Sequence, residues 1–105
     1  MAPTGKKLGI LISTPPDQPG FLHGIKLAEA AIRAGTNVYL YCIDDAVGGV
    51  NDPRLQSLRA SGLHLFACAY AAHRRQLPLS EAAVFSGLSV VAELIAATDR
   101  FVSFN

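Results

Sequence analysis

The sequence predicts a buried strand that runs directly into a helix in the segment Leu63-His-Leu-Phe-Ala-Cys-Ala-Tyr-Ala-Ala-His-Arg-Arg75. The mainly apolar residues 63–67 are typical of a buried strand, and residues 69–75 are rich in helix formers. Cys68 therefore falls where the strand ends and the helix begins. Free backbone N–H groups and the positive end of the helix dipole favour a thiolate there, and the thiolate is the reactive form of cysteine. The alternative is that Cys68 is a small buried hydrophobic residue.

Strand-like and helix-like segments alternate along the rest of the chain. Continuous apolar runs, which are typical of parallel strands covered on both faces, predict strands at residues 8–12, 38–43, 63–67, 83–85 and 100–104. Helical segments fit between them at residues 21–34, 53–60, 69–75 and 89–97, with Asp52 as the cap of the second helix. We therefore expect an α/β fold, a three-layer α/β/α sandwich with a mainly parallel five-stranded sheet, formed by a single domain over residues 1–105.

The composition is that of a compact globular protein with little charge. Half of the 105 residues are hydrophobic, 16% are charged and the formal net charge is +1, so the chain lacks the basic footprint of a nucleic-acid or membrane-surface protein. Its apolar runs are far shorter than the roughly 20 residues that cross a bilayer, and residues 8–12 are too short for a signal-peptide core. We expect a cytoplasmic protein, and we expect so apolar a chain to self-associate.

The two cysteines and the first loop limit the cofactors that the chain could bind. Cys42 lies in an apolar strand-like run, where we expect an inert core thiol. A structural disulfide with Cys68 is not expected in the cytosol, and the soft ligands are too few for a metal site. The loop at residues 13–20 contains prolines where a glycine-rich phosphate loop would need free N–H groups, which argues against a nucleotide site. We expect neither a metal nor another cofactor.

Several polar residues outside this segment have simpler explanations than catalysis. Asp44 and Asp45 follow the second predicted strand. They could bind a cation or act as acid and base there, but such a pair more commonly caps a turn in solvent. Residues 48–49 are both glycine and predict a flexible loop. His23 and His64 have no catalytic residue types beside them in the sequence, so we interpret them as structural or surface residues.

A cluster of cationic residues closes the predicted helix after Cys68. His73, Arg74 and Arg75 either complement the negative end of the helix dipole or attract an anionic sulfur donor or an acidic partner. On an ideal helix Arg75 would lie on the same face as Cys68, roughly 10 Å along the axis. It could influence the electrostatic field there without touching the sulfur.

Segments along nearly the whole chain carry a family resemblance. Cys68-Ala-Tyr-Ala-Ala-His-Arg-Arg75 looks like a family cysteine followed by small residues and a double arginine. Leu27-Ala-Glu-Ala-Ala before Gly35, Ser86-Gly-Leu-Ser, and Asp99-Arg-Phe-Val-Ser-Phe104 match further family segments in the same order. Together they resemble the DsrE/DsrF-like family, which includes the DsrE/TusD-type sulfur-relay proteins. The chain differs from that pattern at Gln76, where glycine is usual, and at Asp44-Asp45-Ala46, where many members carry Asp-Gly.

The resemblance implies a cytoplasmic α/β/α protein that assembles into dimers, trimers or hexamers. It further implies a sulfurtransferase-like carrier in which Cys68 is the catalytic nucleophile and holds sulfane sulfur as a persulfide. Donor and acceptor proteins would be the partners, in tRNA thiolation or in sulfur oxidation. Two alternatives stay open. One is a non-catalytic oligomeric binding or assembly subunit with an unused cysteine, and the other is a small-molecule-binding domain that uses Asp44 and Asp45.

Overall fold

Five strands form one parallel sheet at the centre of the protein. The computed structural model describes residues 5–105. In chain order the strands are β1 (Lys7–Ile12), β2 (Asn37–Cys42), β3 (His64–Cys68), β4 (Val84–Ser86) and β5 (Arg100–Phe104). Their order across the sheet is β4-β3-β2-β1-β5, and every neighbouring pair is parallel. The predicted strands and their parallel arrangement are confirmed, and no strand boundary differs from its prediction by more than one residue.

Helices connect the successive strands and cover both sides of the sheet. They are α1 (Pro19–Arg33), α2 (Pro53–Ala60), α3 (Ala69–Arg74) and α4 (Ser89–Ala97). The first two contact each other and pack on one side. Because the connection from β4 to β5 runs back across the sheet, its right-handed path places α4 on the opposite side, where it contacts β1. The predicted α/β sandwich is therefore confirmed. Within residues 5–105 no helix is both long enough and apolar enough to span a bilayer.

The core lies mainly between the sheet and α1. Alternate residues of a strand point to opposite faces, and Ile10, Ile12, Val38 and Leu40 are fully buried on the α1 side. Gly24 lets α1 approach closely, since a Cβ atom at that position would lie 2.5 Å from Cδ1 of Ile12. Burial of these large apolar side chains is the main favourable term in folding. It also fixes the carboxyl ends of the strands, from which the functional loops emerge.

The connection after β2 differs from its prediction. The two glycines at residues 48–49 predict a flexible loop, but the structure has a short 3₁₀ helix, Asp44–Gly49. Gly49 is buried, and a Cβ atom there would lie 2.5 Å from the ring of Phe21. Glycine is thus required at residue 49 for close packing against α1 rather than for flexibility, a distinction that the sequence pattern does not contain.

The start of α2 is fixed by the predicted cap. The Asp52 carboxylate accepts a hydrogen bond from the Arg54 backbone N–H at 2.9 Å, and Pro53 occupies the first helical position. The Arg54 guanidinium also donates to both Asp52 carboxylate oxygens, at 3.0 and 2.7 Å. This side-chain hydrogen bonding holds the pKa of Asp52 below its usual value of 3.8. The prediction of Asp52 as the helix cap is confirmed.

We expect the Asp52→Ala substitution to lower the free energy of unfolding by about 1 kcal/mol at pH 7, because it removes the α2 cap. Since the pKa of Asp52 is lowered in the folded state, the charged carboxylate contributes its full stability above its usual pKa of 3.8 and loses it as the pH falls through the folded-state pKa. Denaturant titrations across this pH range measure both effects. Asp52→Asn is the control, because asparagine also caps helices but cannot titrate. A loss as large in Asp52→Asn as in Asp52→Ala would contradict a capping role.

Candidate functional site

Cys68 is the last residue of β3 and the cap residue of α3, as the sequence predicts. Its Sγ accepts a hydrogen bond from the Ala71 backbone N–H at 3.4 Å. Because α3 has only six residues, this local N–H matters more to the sulfur than the dipole of the helix as a whole. The residue is only 3% exposed, so the thiol lies below the surface of the single chain.

A cavity of about 300 Å³ gives access to this position. It lies at the edge of the sheet where the carboxyl ends of β2, β3 and β4 meet, since parallel strands all end at the same edge. Such an edge is where α/β proteins commonly bind ligands. The cavity is lined by Cys68, by Ile43 and Asp44 after β2, by Leu88 after β4, and by Tyr70, Ala71, Arg74 and Arg75 in and after α3.

Arg75 lines the cavity, but its charge is already paired. Its guanidinium donates to one Asp45 carboxylate oxygen at 3.1 and 2.9 Å. It also donates to the Ala71 carbonyl oxygen at 3.3 Å. The Asp45 carboxylate is exposed, so water and salt screen this ion pair. Arg75 therefore orders the connection between α3 and the 3₁₀ helix, and it makes no hydrogen bond to the sulfur of Cys68.

Arg74 is held against Tyr70 on the same helix. Its guanidinium donates to the Tyr70 hydroxyl at 3.1 Å and lies 5.8 Å from the centre of the ring, which is a cation–π contact. Both side chains line the cavity, whereas the exposed His73 is not part of its lining. Of the three cationic residues predicted after Cys68, the structure thus brings Arg74 and Arg75 to the cavity.

The other cysteine is a core residue, as predicted. Cys42 is fully buried, and burial raises the pKa of its thiol to about 12. It pairs with Ala67 in the sheet, so its side chain points to the same side as that of Ala67, whereas Cys68, the next residue along β3, points to the other. The two free thiols therefore lie on opposite sides of the sheet, and Cys42 takes no part in the cavity.

Of the remaining polar candidates, Asp44 alone lines the cavity. Asp44 and Asp45 lie in the first turn of the 3₁₀ helix, and Asp45 pairs with Arg75. His23 is exposed, and His64 is exposed and stacks on Tyr39 with ring centres 4.5 Å apart. No group of three or more histidine, cysteine or acidic side chains within residues 5–105 is placed to hold a metal ion.

Tyr41 does not line the cavity but contacts the segment that follows β4, and reasoning from the sequence missed this residue. It lies on β2 beside β3, and its fully buried ring stacks on Phe66. Its hydroxyl donates toward the carbonyl oxygens of Ser86 and Gly87, both at 3.1 Å. Burial raises the pKa of Tyr41, and the nearby charge of Cys68 raises it further, against the opposing effect of the Ser86 side chain. A tyrosine inside an apolar strand is the only signal in the sequence, since buried tyrosine hydroxyls usually have a partner.

The comparisons with known proteins agree with this architecture. The family model described as "DsrE/DsrF-like family" matches residues 6–104. The chain belongs to this family. A solved structure similar to that of the chain is "Crystal structure of ychN protein from E.coli", with a TM-score of 0.81 and 20% sequence identity, covering 94% of this chain and 99% of that one. At this identity the likeness concerns the fold. No curated protein matches the chain by sequence.

Gln76, where the resemblance leads us to expect glycine, occupies a left-handed backbone position with φ 56°. It follows α3 in a Schellman motif, in which the Gln76 N–H donates to the His73 carbonyl at 3.1 Å and the Leu77 N–H donates to the Ala72 carbonyl at 2.9 Å. Glycine is the usual residue at such a position because it lacks a Cβ atom. The glycine of the DsrE/DsrF-like pattern is thus explained by the left-handed backbone conformation at this position. Glutamine adopts the same conformation with some backbone strain.

We expect Gln76→Gly to raise the free energy of unfolding by about 0.5 to 1 kcal/mol, because relief of left-handed strain outweighs the added freedom of the unfolded chain. Denaturant titration measures the change. Gln76→Ala is the matched control, since alanine keeps the strain and should give no gain. An equal gain in both variants would show that the glutamine side chain, and not its backbone conformation, is unfavourable.

Proposed function

We propose that this chain is a sulfur carrier that holds sulfane sulfur as a persulfide on Cys68 and passes it to a partner thiol. Membership in the DsrE/DsrF-like family supports a role of the sulfur-relay type. The observation that carries the specific proposal is the position of Cys68, at a strand-to-helix junction with a backbone N–H directed at its sulfur and a cavity in front of it. Reactive cysteines occur in such electropositive surroundings.

The proposed chemistry is two successive thiol exchanges. In the first, the Cys68 thiolate attacks the terminal sulfur of a donor persulfide, a new S–S bond forms, and the donor leaves as a thiolate that keeps the electron pair. In the second, an acceptor thiolate attacks the terminal sulfur of the Cys68 persulfide. That sulfur moves to the acceptor, and the Cys68 Sγ leaves as a thiolate. Each exchange breaks one S–S bond and forms another, so the sulfur moves without net oxidation or reduction.

The residues around the cavity suit an anionic sulfur. The Ala71 N–H, 3.4 Å from Sγ, stabilises negative charge on the sulfur. Arg74 and Arg75 add positive potential at the cavity, although Tyr70 and Asp45 already bind their guanidinium groups. We infer that this potential attracts an anionic persulfide or the acidic surface of a donor or acceptor protein.

The low exposure of Cys68 favours a second candidate function. A thiol that is 3% exposed in the single chain is also compatible with a non-catalytic binding or assembly subunit that keeps an unused cysteine. The two functions differ in thiol chemistry. A carrier must let a donor reach Cys68 through the cavity, whereas an assembly subunit has no such need.

We expect mass spectrometry to find one added sulfur atom on Cys68 after incubation with a persulfide donor, because that thiol faces the cavity. The added atom should disappear after treatment with a reducing thiol and in the Cys68→Ser variant. Cys42→Ala is the matched control, since the buried Cys42 thiol, with its pKa of about 12, stays protonated at neutral pH. It should leave the modification unchanged.

Two results would contradict the carrier function. The first is sulfur added only at Cys42. The second is the absence of sulfur on Cys68 with every donor, together with alkylation of Cys68 at neutral pH no faster than that of an unfolded cysteine. This second result would support the assembly subunit instead.

The partners and setting follow from the proposed chemistry. Donor and acceptor would be proteins of a cytoplasmic relay that serves tRNA thiolation or sulfur oxidation. With a formal net charge of +1, the chain is not suited to bind RNA directly, so the carried sulfur would reach tRNA through another protein. We propose that residues 1–105 act in this relay as one domain.

We further propose that the chain forms a homo-oligomer, a dimer, trimer or hexamer, with a subunit boundary near Cys68. Tyr70 and Leu88 line the cavity while 63% and 57% exposed, and the edge-strand residue Val84 is 55% exposed. Large exposed apolar side chains such as these favour association. A partner subunit there would also shield a persulfide from stray thiols.

We expect sedimentation at micromolar concentration to show a particle at least twice the mass of the 11.1 kDa chain. Placing a charge at the boundary, as in Leu88→Asp, should shift the particle toward the monomer, because it would bury an unpaired carboxylate. Ile95→Asp is a control on an exposed apolar residue of α4 that does not line the cavity. A monomer across this concentration range would contradict the oligomer, and dissociation by Ile95→Asp alone would place the boundary elsewhere.

A further inference from the structure

Leu88 forms part of the cavity wall, and the segment Ser86–Gly87–Leu88 that carries it connects β4 to α4. Ser86 is the last residue of β4 and pairs with Cys68, after which the chain leaves the sheet. β4 is an edge strand of only three residues, so its ladder of hydrogen bonds is short. Leu88, which lines the cavity, comes two residues beyond the last pair. The first turn of α4 also holds the segment, since the Val90 and Val91 N–H groups donate to the Gly87 and Leu88 carbonyl oxygens at 3.2 and 3.0 Å. Gly87 and Leu88 are nevertheless exposed, and segments with few buried contacts open locally at low free energy.

Tyr41 attaches the same segment to the centre of the sheet. Its hydroxyl is 3.1 Å from the carbonyl oxygens of both Ser86 and Gly87, and the Ser86 hydroxyl donates back to it at 3.4 Å. The tyrosine is itself immobile, because its ring is fully buried in β2 and stacks on Phe66. The hydrogen bonds therefore join the cavity wall to the rigid centre of the sheet.

The same tyrosine lies close to the reacting sulfur. Tyr41 pairs with Phe66, and Cys68 follows Phe66 by two residues on the same face of the sheet. With neighbouring strands about 4.8 Å apart and a rise of about 3.3 Å per residue, such diagonal neighbours lie roughly 8 Å apart between their Cα atoms. A charge on Cys68 raises the pKa of Tyr41, which agrees with this proximity. One residue thus contacts the cavity wall and lies beside the thiol that the wall encloses.

We propose that Tyr41 is a positioning residue that holds the Ser86–Leu88 segment against Cys68 and so limits the access of other molecules to the thiol. This inference rests on the proposed function only in taking Cys68 as the reacting thiol. As a positioning residue, Tyr41 would make no contact with the transferred sulfur. It sets how often the cavity wall opens, and thereby how well a persulfide on Cys68 is protected between donor and acceptor.

The test compares the alkylation of both cysteines by iodoacetamide in the full-length protein, with each site quantified by peptide mass spectrometry. Tyr41→Phe keeps the ring but removes the hydroxyl, so we expect Cys68 to be alkylated about fivefold faster or more. Cys42 reports unfolding of the core, because it is fully buried on the other side of the sheet, and its rate should stay the same. Tyr39→Phe, on the same strand and the same face, is the matched control and should change neither rate.

Leu88→Ala provides a second variant that leaves the core intact, since Leu88 is largely exposed. Removing this side chain should also speed the alkylation of Cys68, and adding Tyr41→Phe to it should then have a smaller effect than in the native chain.

The proposal is overturned if Tyr41→Phe leaves the Cys68 rate within twofold of the native rate, or if it accelerates Cys42 and Cys68 equally. Fully independent effects of the two substitutions would also overturn it. Alkylation requires no sulfur transfer, so its outcome is separate from that of the persulfide experiment.

Discussion

The candidate site depends on the parallel pairing of β3 with β2 on one side and β4 on the other. Parallel strands all end at the same edge of the sheet, so this pairing gathers the residues after three separate strands around Cys68. The pairing is maintained by the apolar layer between the sheet and α1, where buried residues of β1 and β2 meet a helix that Gly24 brings close. A packed core thereby determines the position of a thiol that is not at its centre.

The positive charge around Cys68 is smaller in effect than the number of cationic residues indicates, because other side chains bind both arginines that line the cavity. Arg75 shares its charge with Asp45, and Arg74 stacks on Tyr70, so neither guanidinium is directed at the sulfur. The group that donates a hydrogen bond to the Cys68 sulfur is the Ala71 N–H, a neutral donor fixed by the first turn of α3.

Burial of Cys68 and its proposed chemistry impose opposite requirements. A persulfide must be kept from water and stray thiols, yet it must also reach a partner. Under the two proposals, the segment after β4 would meet the first requirement, since Tyr41 hydrogen-bonds it where a short edge strand ends. Access to Cys68 would then depend on how firmly a three-residue strand is held, and a docking protein could compete for the same surface.

Sequence alone was enough to predict the five strands, the Asp52 cap and the junction at Cys68, because these depend on local apolar runs, caps and helix formers that are read along the chain. Only the tertiary structure decided which distant residues meet. Asp45 lies 30 residues from Arg75, and Tyr41 lies 45 residues from Ser86. Such contacts follow from the order and register of strands, which local patterns do not encode. The packed 3₁₀ helix that replaced the predicted flexible loop has the same cause, since the role of Gly49 is set by a ring from another helix.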